Sequence, residues 1–214
     1  MVLSKLFRSL GGEPPKPKAL PQVGEATLGR ALRLDASMLE AMEAALGESV
    51  SPDLVITGQG LVEMADETGT SWLHRFYDDE DRMLQAITGS KDGGDAEEWS
   101  FYVPAGSEHL PQDGRIGDWI DRLSRPEIEH GGERFDRLWY EGDDRTQPPV
   151  RFVETVYERA DMTEGREIVQ ECMVYGREAP QGELLLLALV MGQGREATFE
   201  RMLGTGLRPH QVTI

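Results

Sequence analysis

The side chains able to do chemistry are numerous in this chain, yet none is spaced as a familiar reaction requires. Four histidines, His74, His109, His130 and His210, are scattered. No two of them stand at the i, i+2 or i, i+4 spacing that would bring both imidazoles to one metal. A site assembled across the fold stays open, but the pattern implies no cofactor and no tightly bound metal. His74 lies beside Arg75 in a strand-like run and reads as a surface or hydrogen-bonded structural histidine. The single cysteine, Cys172, excludes an intrachain disulfide and a multi-thiolate metal site. Its run, EIVQECMVYG, is acidic, whereas a reactive thiol needs an electropositive, accessible setting, so Cys172 reads as a buried strand residue.

Carboxylates say as little. Asp78, Asp79, Glu80 and Asp81 invite a calcium reading, but the run lacks the glycine and terminal glutamate of an EF-hand loop. Consecutive carboxylates also diverge, so turn formation and charged strand ends explain the cluster better. With 39 acidic residues, a pair suited to glycoside hydrolysis is uninformative. No phosphate loop, nucleophile elbow or dinucleotide fingerprint occurs, and the GQG strings at 58–60 and 192–194 fit hairpin turns. Trp72, Trp99, Trp119 and Trp139 read as packing residues rather than the lining of a ligand groove. No motif assigns an activity, and the reading leans away from an enzyme.

The elements that would position these groups are mostly strands. From Leu54 onward, LVITG, GLVEMAD, SWLHRFY, RMLQAIT and WSFYVP are short β-type runs separated by acidic or glycine-containing turns. A similar order occurs twice, around Leu61 to Thr88 and around Leu138 to Tyr175. In each copy a tyrosine (Tyr77, Tyr157) ends the middle strand, and an arginine then a glutamine (Arg82 and Gln85, Arg166 and Gln170) open the return strand. Internal duplication and convergence of acidic hairpins both account for this. Leu184 to Met191 reads as a central strand, too short for a membrane span. A helix is expected over DASMLEAMEAALG, with Asp35 as N-cap and Gly47 as C-cap, and a shorter one over IGDWIDRL at 116–123. EATFERML near the end of the chain fits either a helix or a strand. The expected fold class is α+β, mainly antiparallel β meanders with a few short helices.

Residues 1–23 are expected to stand apart from a globular body at 24–214, which forms either one unit or two β lobes at about 50–104 and 134–192. Val2, Leu3, Leu6, Phe7 and Leu10 share one helix face, with Lys5 and Arg8 on the other, and GGEPPKPKALPQ at 11–22 reads as an extended linker. Lys5, Arg8, Lys16 and Lys18 against Glu13 leave residues 1–18 at +3, and the remainder at −20 of the −17 total. That balance disfavours nucleic acid, whose binding needs clustered cations. No secretory signal is visible, so a cytoplasmic location is the default.

Taken together, GLVEMADETGTSWLHRFYDDEDRMLQ, IGDWI, RLWYEG, PPVRFVETVYE, QECMVYGRE and ELLLLALV resemble the YjfK-like family of uncharacterised bacterial proteins, over about Gly24 to Val190. HRFYDDED at His74 to Asp81 and PPVRFVETVYE at Pro148 to Glu158 are the most distinctive strings. The resemblance implies no chemistry. It does imply a setting near PspA-like membrane-remodelling proteins, small membrane proteins and enzymes similar to glutathionylspermidine synthase.

Two functions follow as expectations. In the first, the chain is a non-enzymatic adaptor of a membrane or envelope-stress module. It docks through Leu3, Lys5, Leu6, Phe7, Arg8 and Leu10 on a protein partner such as a PspA-like protein, or weakly on the inner membrane face. Burying each apolar side chain yields about 1.5–3 kcal/mol, against about 1–2 kcal/mol per ordered residue, so lipid binding would be weak and reversible. In the second, the acidic body binds or acts on a cationic small metabolite such as a polyamine.

Overall fold

The computed structural model describes residues 19–66, 69–110, 116–140, 145–160, 165–193 and 196–213. Two short strands, β1 (Gln22–Val23) and β2 (Ala31–Leu34), precede helix α1 (Glu40–Leu46) and strand β3 (Asp53–Val55). A first long meander follows: β4 (Gly58–Asp66), β5 (Gly69–Tyr77), β6 (Met83–Thr88) and, after the two-residue β7 (Gly93–Gly94), β8 (Glu98–Leu110). Helix α2 (Ile116–Leu123) and the hairpin β9 (Glu127–His130) and β10 (Glu133–Arg137) lead to a second meander. This comprises β11 (Val150–Tyr157), β12 (Gly165–Ala179), β13 (Gly182–Gln193) and β14 (Glu196–Leu207), and β15 (Val212–Thr213) comes last.

The two meanders clasp each other into a closed barrel of eight antiparallel strands. Around the ring the order is β4, β5, β6, β8, β14, β13, β12, β11. Its two seams join β8 to β14 and β11 to β4, the latter through Thr155 opposite Leu61 and Tyr157 opposite Gln59. The first strands of the two meanders thus pair with each other, as do the last. The β11–β4 seam is short, with Gln59–Leu61 paired to Thr155–Tyr157, and the remainder of β4 and of β11 is not paired across it among the described residues.

This corrects the α+β expectation. The helices are short, seven residues in α1 and eight in α2, and they cover a barrel rather than one face of an open sheet. The repeat is corrected too. In the first copy β4, β5 and β6 are neighbours in sequence order, whereas in the second β10 pairs with β12 through Arg137 opposite Tyr175, along the same edge of β12 that β11 occupies further back. The matching units are the four-stranded meanders, whose register differs by a strand from the one marked by the tyrosines. Strands from both 50–104 and 134–192 build the same barrel.

Alternation along each strand separates an outer core from a lumen. On the outside, Phe76, Leu84, Phe101, Leu186 and Leu203 pack with Leu39 and Met42 of the α1 region and with Leu32, Leu34 and Leu54 of the small β15–β2–β3 sheet. On the inside lie Val62, Leu73, Met83, Tyr102, Phe152, Leu187, Leu189 and Met202. The unbroken run Leu184 to Met191 follows from this, because β13 is apolar on both faces. EATFERML is a strand because β14 pairs along both edges, which outweighs its helical composition.

Local signals fare unevenly. Asp35 caps a short 3-10 turn at Ala36–Met38, accepting from the Ser37 amide at 3.0 Å, and α1 begins only at Glu40 before ending at Gly47. The GQG at 58–60 opens β4 instead of forming a turn, and Gly192 and Gln193 lie within β13.

Candidate functional site

The lumen carries charge at mid-height. On β5, the inward positions Leu73, Arg75 and Tyr77 alternate with the outward Trp72, His74 and Phe76, so pleating alone sends a guanidinium into the barrel. On β11 the same alternation turns Phe152 and Glu154 inward. Arg75 is 2% exposed and Glu154 0%. Arg75 Nη1 donates to Glu154 Oε2 at 2.8 Å and to Gln170 Oε1 at 2.7 Å, and Arg75 Nε donates to Gln85 Oε1 at 3.1 Å. The Tyr77 hydroxyl donates to Glu154 Oε1 at 2.7 Å, and Gln170 Nε2 donates to Glu154 Oε2. These groups span the lumen from β5 and β6 to β11 and β12 as one bridge.

Electrostatics hold the bridge in its ionic form. Burial alone would favour a neutral Arg75, but the adjacent Glu154 carboxylate outweighs it and raises the guanidinium pKa above its ordinary value. Burial, and then Glu154, raise the Tyr77 phenol, which therefore stays a donor. Burial pushes the Cys172 thiol, also on the lumen face, up to about 12, so it is an inert core thiol rather than a nucleophile.

A cavity lies on either side of the bridge, and among the described residues only Arg75 and Leu187 line both. One, of about 740 Å³, opens at the β5–β6 turn; Met83, Leu189, Met191 and Met202 wall it, and Asp81, Glu158, Arg166 and Glu200 are also in its lining. The other, of about 750 Å³, opens at the opposite end beside Leu138, Trp139 and Tyr140 and is walled by Leu73, Ile87, Tyr102, Phe152, Val174 and Leu185. Each mouth carries one of the two non-glycine residues described with positive φ, Asp81 (58°) and Tyr140 (62°). Such strain persists only where surrounding structure enforces it, and it concentrates at functional sites.

The Asp81 mouth rests on a tight acidic turn. Asp78 accepts from the amides of Glu80 and Arg82 and pairs with the Arg82 side chain at 2.6 Å, while Arg82 reaches back to the carbonyls of Ser51 and Asp53. Asp78 thus has a cationic partner, and Asp81 has none among the described residues. Glu200, half-buried on β14, has no ion-pair partner among the described residues, and burial followed by the charge of Asp81 raises its pKa.

The residues singled out from the sequence divide accordingly. Tyr77, Gln85 and Gln170, read there only as repeat markers, meet in the bridge. Arg82 serves the turn, and Arg166 lies opposite Val156 near the Asp81 mouth. His74 is wholly buried outside the lumen, its Nε2 within 3.1 Å of Thr88 Oγ1 and of the Ser90 carbonyl oxygen. His109, His130 and His210 are not brought to it. Trp139 meets Phe152 edge-on at 6.1 Å beside the Tyr140 mouth, whereas Trp119 stacks on Phe199 at 4.2 Å outside the barrel. Leu3, Lys5, Leu6, Phe7, Arg8 and Leu10 lie outside the described residues. Sequence reasoning missed Arg75 and Glu154. Their signal was a charge at an inward position of an otherwise apolar alternation, one of each sign.

A family model described as "Protein of unknown function (DUF2491)" matches residues 3–213, further at both ends than the resemblance read from the sequence. The match carries no YjfK name and no bacterial source. Neither the curated proteins nor the solved structures compared with the chain give a match.

Proposed function

We propose that this chain, which belongs to the DUF2491 family of proteins of unknown function, is a binding module that holds a small molecule inside its barrel. The carrying observation is the hollow lumen. Eight strands enclose a space that is either filled by side chains or able to hold one small ligand. Here small inward residues, Gly58, Gly60, Gly204 and Gly206, and a polar bridge leave two chambers, each within the roughly 300–1,000 Å³ range of ligand pockets.

Glu200 favours a specific guest for the Asp81-end chamber, a cationic molecule with an apolar body. The Glu200 carboxylate would gain the cation it lacks, and Met83, Met191 and Met202 would adapt to the body. A linear polyamine suits it less well, since its inner ammonium groups would face apolar walls and the Arg75 guanidinium. Octylamine is expected to bind by calorimetry with about one molecule per chain and more tightly than octanol. Glu200→Gln should weaken octylamine about tenfold, the scale of one charge-assisted contact, and leave octanol unchanged. Because the pKa of Glu200 is raised, acidification should neutralise it earlier than an ordinary carboxylate, so octylamine affinity falls with falling pH while octanol affinity holds. Equal binding of amine and alcohol at all pH values would refute the cationic guest.

The segment bearing Leu3, Lys5, Leu6, Phe7, Arg8 and Leu10 is, on this reading, a separate docking element for a protein partner or an anionic membrane face. Its +3 charge against a body at −20 and its proline-rich connection support this. Deleting residues 1–18 should leave the melting temperature nearly unchanged, while Leu6→Asp with Phe7→Asp should reduce co-sedimentation with anionic vesicles or recovery of a partner. A large loss of thermal stability on deletion would place the segment in the fold.

A further inference from the structure

The bridge leaves one guanidinium nitrogen without a hydrogen bond to the described residues. Arg75 Nε is taken by Gln85, and Nη1 by Glu154 and Gln170, but Nη2 has no hydrogen-bond partner among the described residues. The side chain is 2% exposed and lines both chambers. Nη2 keeps a trace of accessible surface, and because Arg75 lines both chambers that surface faces the lumen, where an acceptor from outside the chain can hydrogen-bond to it.

We infer that the Tyr140-end chamber binds a neutral, largely apolar aromatic molecule through a single carbonyl or hydroxyl oxygen that accepts from Arg75 Nη2. This rests on the lumen being a binding site and adds a second guest of different chemistry. Charge selects a neutral acceptor. The guanidinium is already matched by Glu154, so a carboxylate beside it would leave an uncompensated buried anion. The walls select the body. Tyr102 and Phe152 offer ring faces and edges, and Leu73, Ile87, Val174 and Leu185 complete an apolar slot. The chamber at the other end is less suited, because the half-buried Glu200 would have to lose hydration beside an uncharged guest, whereas the charged residues lining the Tyr140-end chamber, Glu63, Glu98 and Arg151, are exposed. At the Tyr140 mouth, Trp139 packs edge-on against Phe152, and Tyr140 is held at positive φ with the Arg137 guanidinium 5.7 Å from its ring, so the entrance is built of aromatic surface.

The test compares prodan, a neutral naphthalene ketone, with 2-(dimethylamino)naphthalene, the same ring system without the ketone, by fluorescence titration of the full chain. The ketone should bind at least about tenfold more tightly, the scale of a hydrogen bond to a charged donor. Arg75→Lys keeps a cation opposite Glu154 without Nη2, and Arg75→Met with Glu154→Met removes the pair together; circular dichroism establishes that each is folded. Both should bring the ketone preference close to one. Two half-buried residues at opposite ends of β13 locate the site. Leu185→Trp should abolish prodan binding and Met191→Trp should not. No ketone preference, a preference unchanged by the Arg75 variants, or loss of binding only with Met191→Trp would each overturn the inference. If octylamine binds and prodan does not, this inference fails alone. If neither probe binds, the lumen reading fails with it.

Discussion

Replacing Arg75 by Met while Glu154 remains is expected to destabilise the barrel by about 3–5 kcal/mol, measured by urea unfolding. The cost arises from the carboxylate left behind. Glu154 is wholly buried, and without Arg75 its charge keeps only the hydroxyl of Tyr77 and the amide of Gln170. Adding Glu154→Met should recover most of the loss, because an apolar pair of similar volume fills the same space without a desolvated ion. A residual deficit of about 1–2 kcal/mol is expected from Gln85 and Gln170, which lose their common partner. The double-mutant cycle should therefore be strongly non-additive. Losses that simply add would mean that the two side chains do not form a bridge in solution.

A second large effect is expected at a residue with no side chain. Gly60 lies on the lumen face of β4, and a Cβ built there would fall 1.7 Å from Glu154 Oε1 and 2.8 Å from its carboxyl carbon. The clash is with the group that Arg75 holds, so Glu154 cannot swing aside without breaking the bridge. Gly60→Val should then cost about 3–5 kcal/mol, as a broken buried pair does, and more than the roughly 1–3 kcal/mol of ordinary overpacking. In an Arg75→Met, Glu154→Ala background the obstacle is gone, and Gly60→Val should cost less than about 1 kcal/mol. An equal cost in both backgrounds would mean that strand geometry at position 60, and not the carboxylate, requires glycine.

Local patterns were legible in the sequence, and closure was not. The strand runs from Leu54 onward, the IGDWIDRL helix and the central LLLLALV strand follow from periodicity within single segments. The seam that closes the barrel pairs Thr155 with Leu61, residues far apart in the chain with no shared local pattern. A hairpin signal reports only the next strand, so a meander that opens outward and one that curls into a ring look alike. The repeated Tyr and Gln markers show the same limit. Tyr77, Gln85 and Gln170 do converge, but through a ring topology that sets β6 and β12 on opposite walls, not through a copied three-stranded unit. Arg75 and Glu154 were passed over for a related reason. A charge inside an apolar alternation looks like a fault in one strand, and only β11, two places round the ring from β5, shows that it has a partner of the other sign.

The most direct test of the lumen as a binding site is a methyl-resolved NMR titration of the full chain with octylamine and then with prodan. Inward methyls should respond, Met83, Met191 and Met202 to octylamine and Leu73, Val174 and Leu185 to prodan. The outward methyls of Leu84, Leu186 and Leu203, on the same strands but behind the barrel wall, should stay nearly still. Shifts confined to the outward methyls, or none at saturating probe, would contradict a ligand-holding lumen.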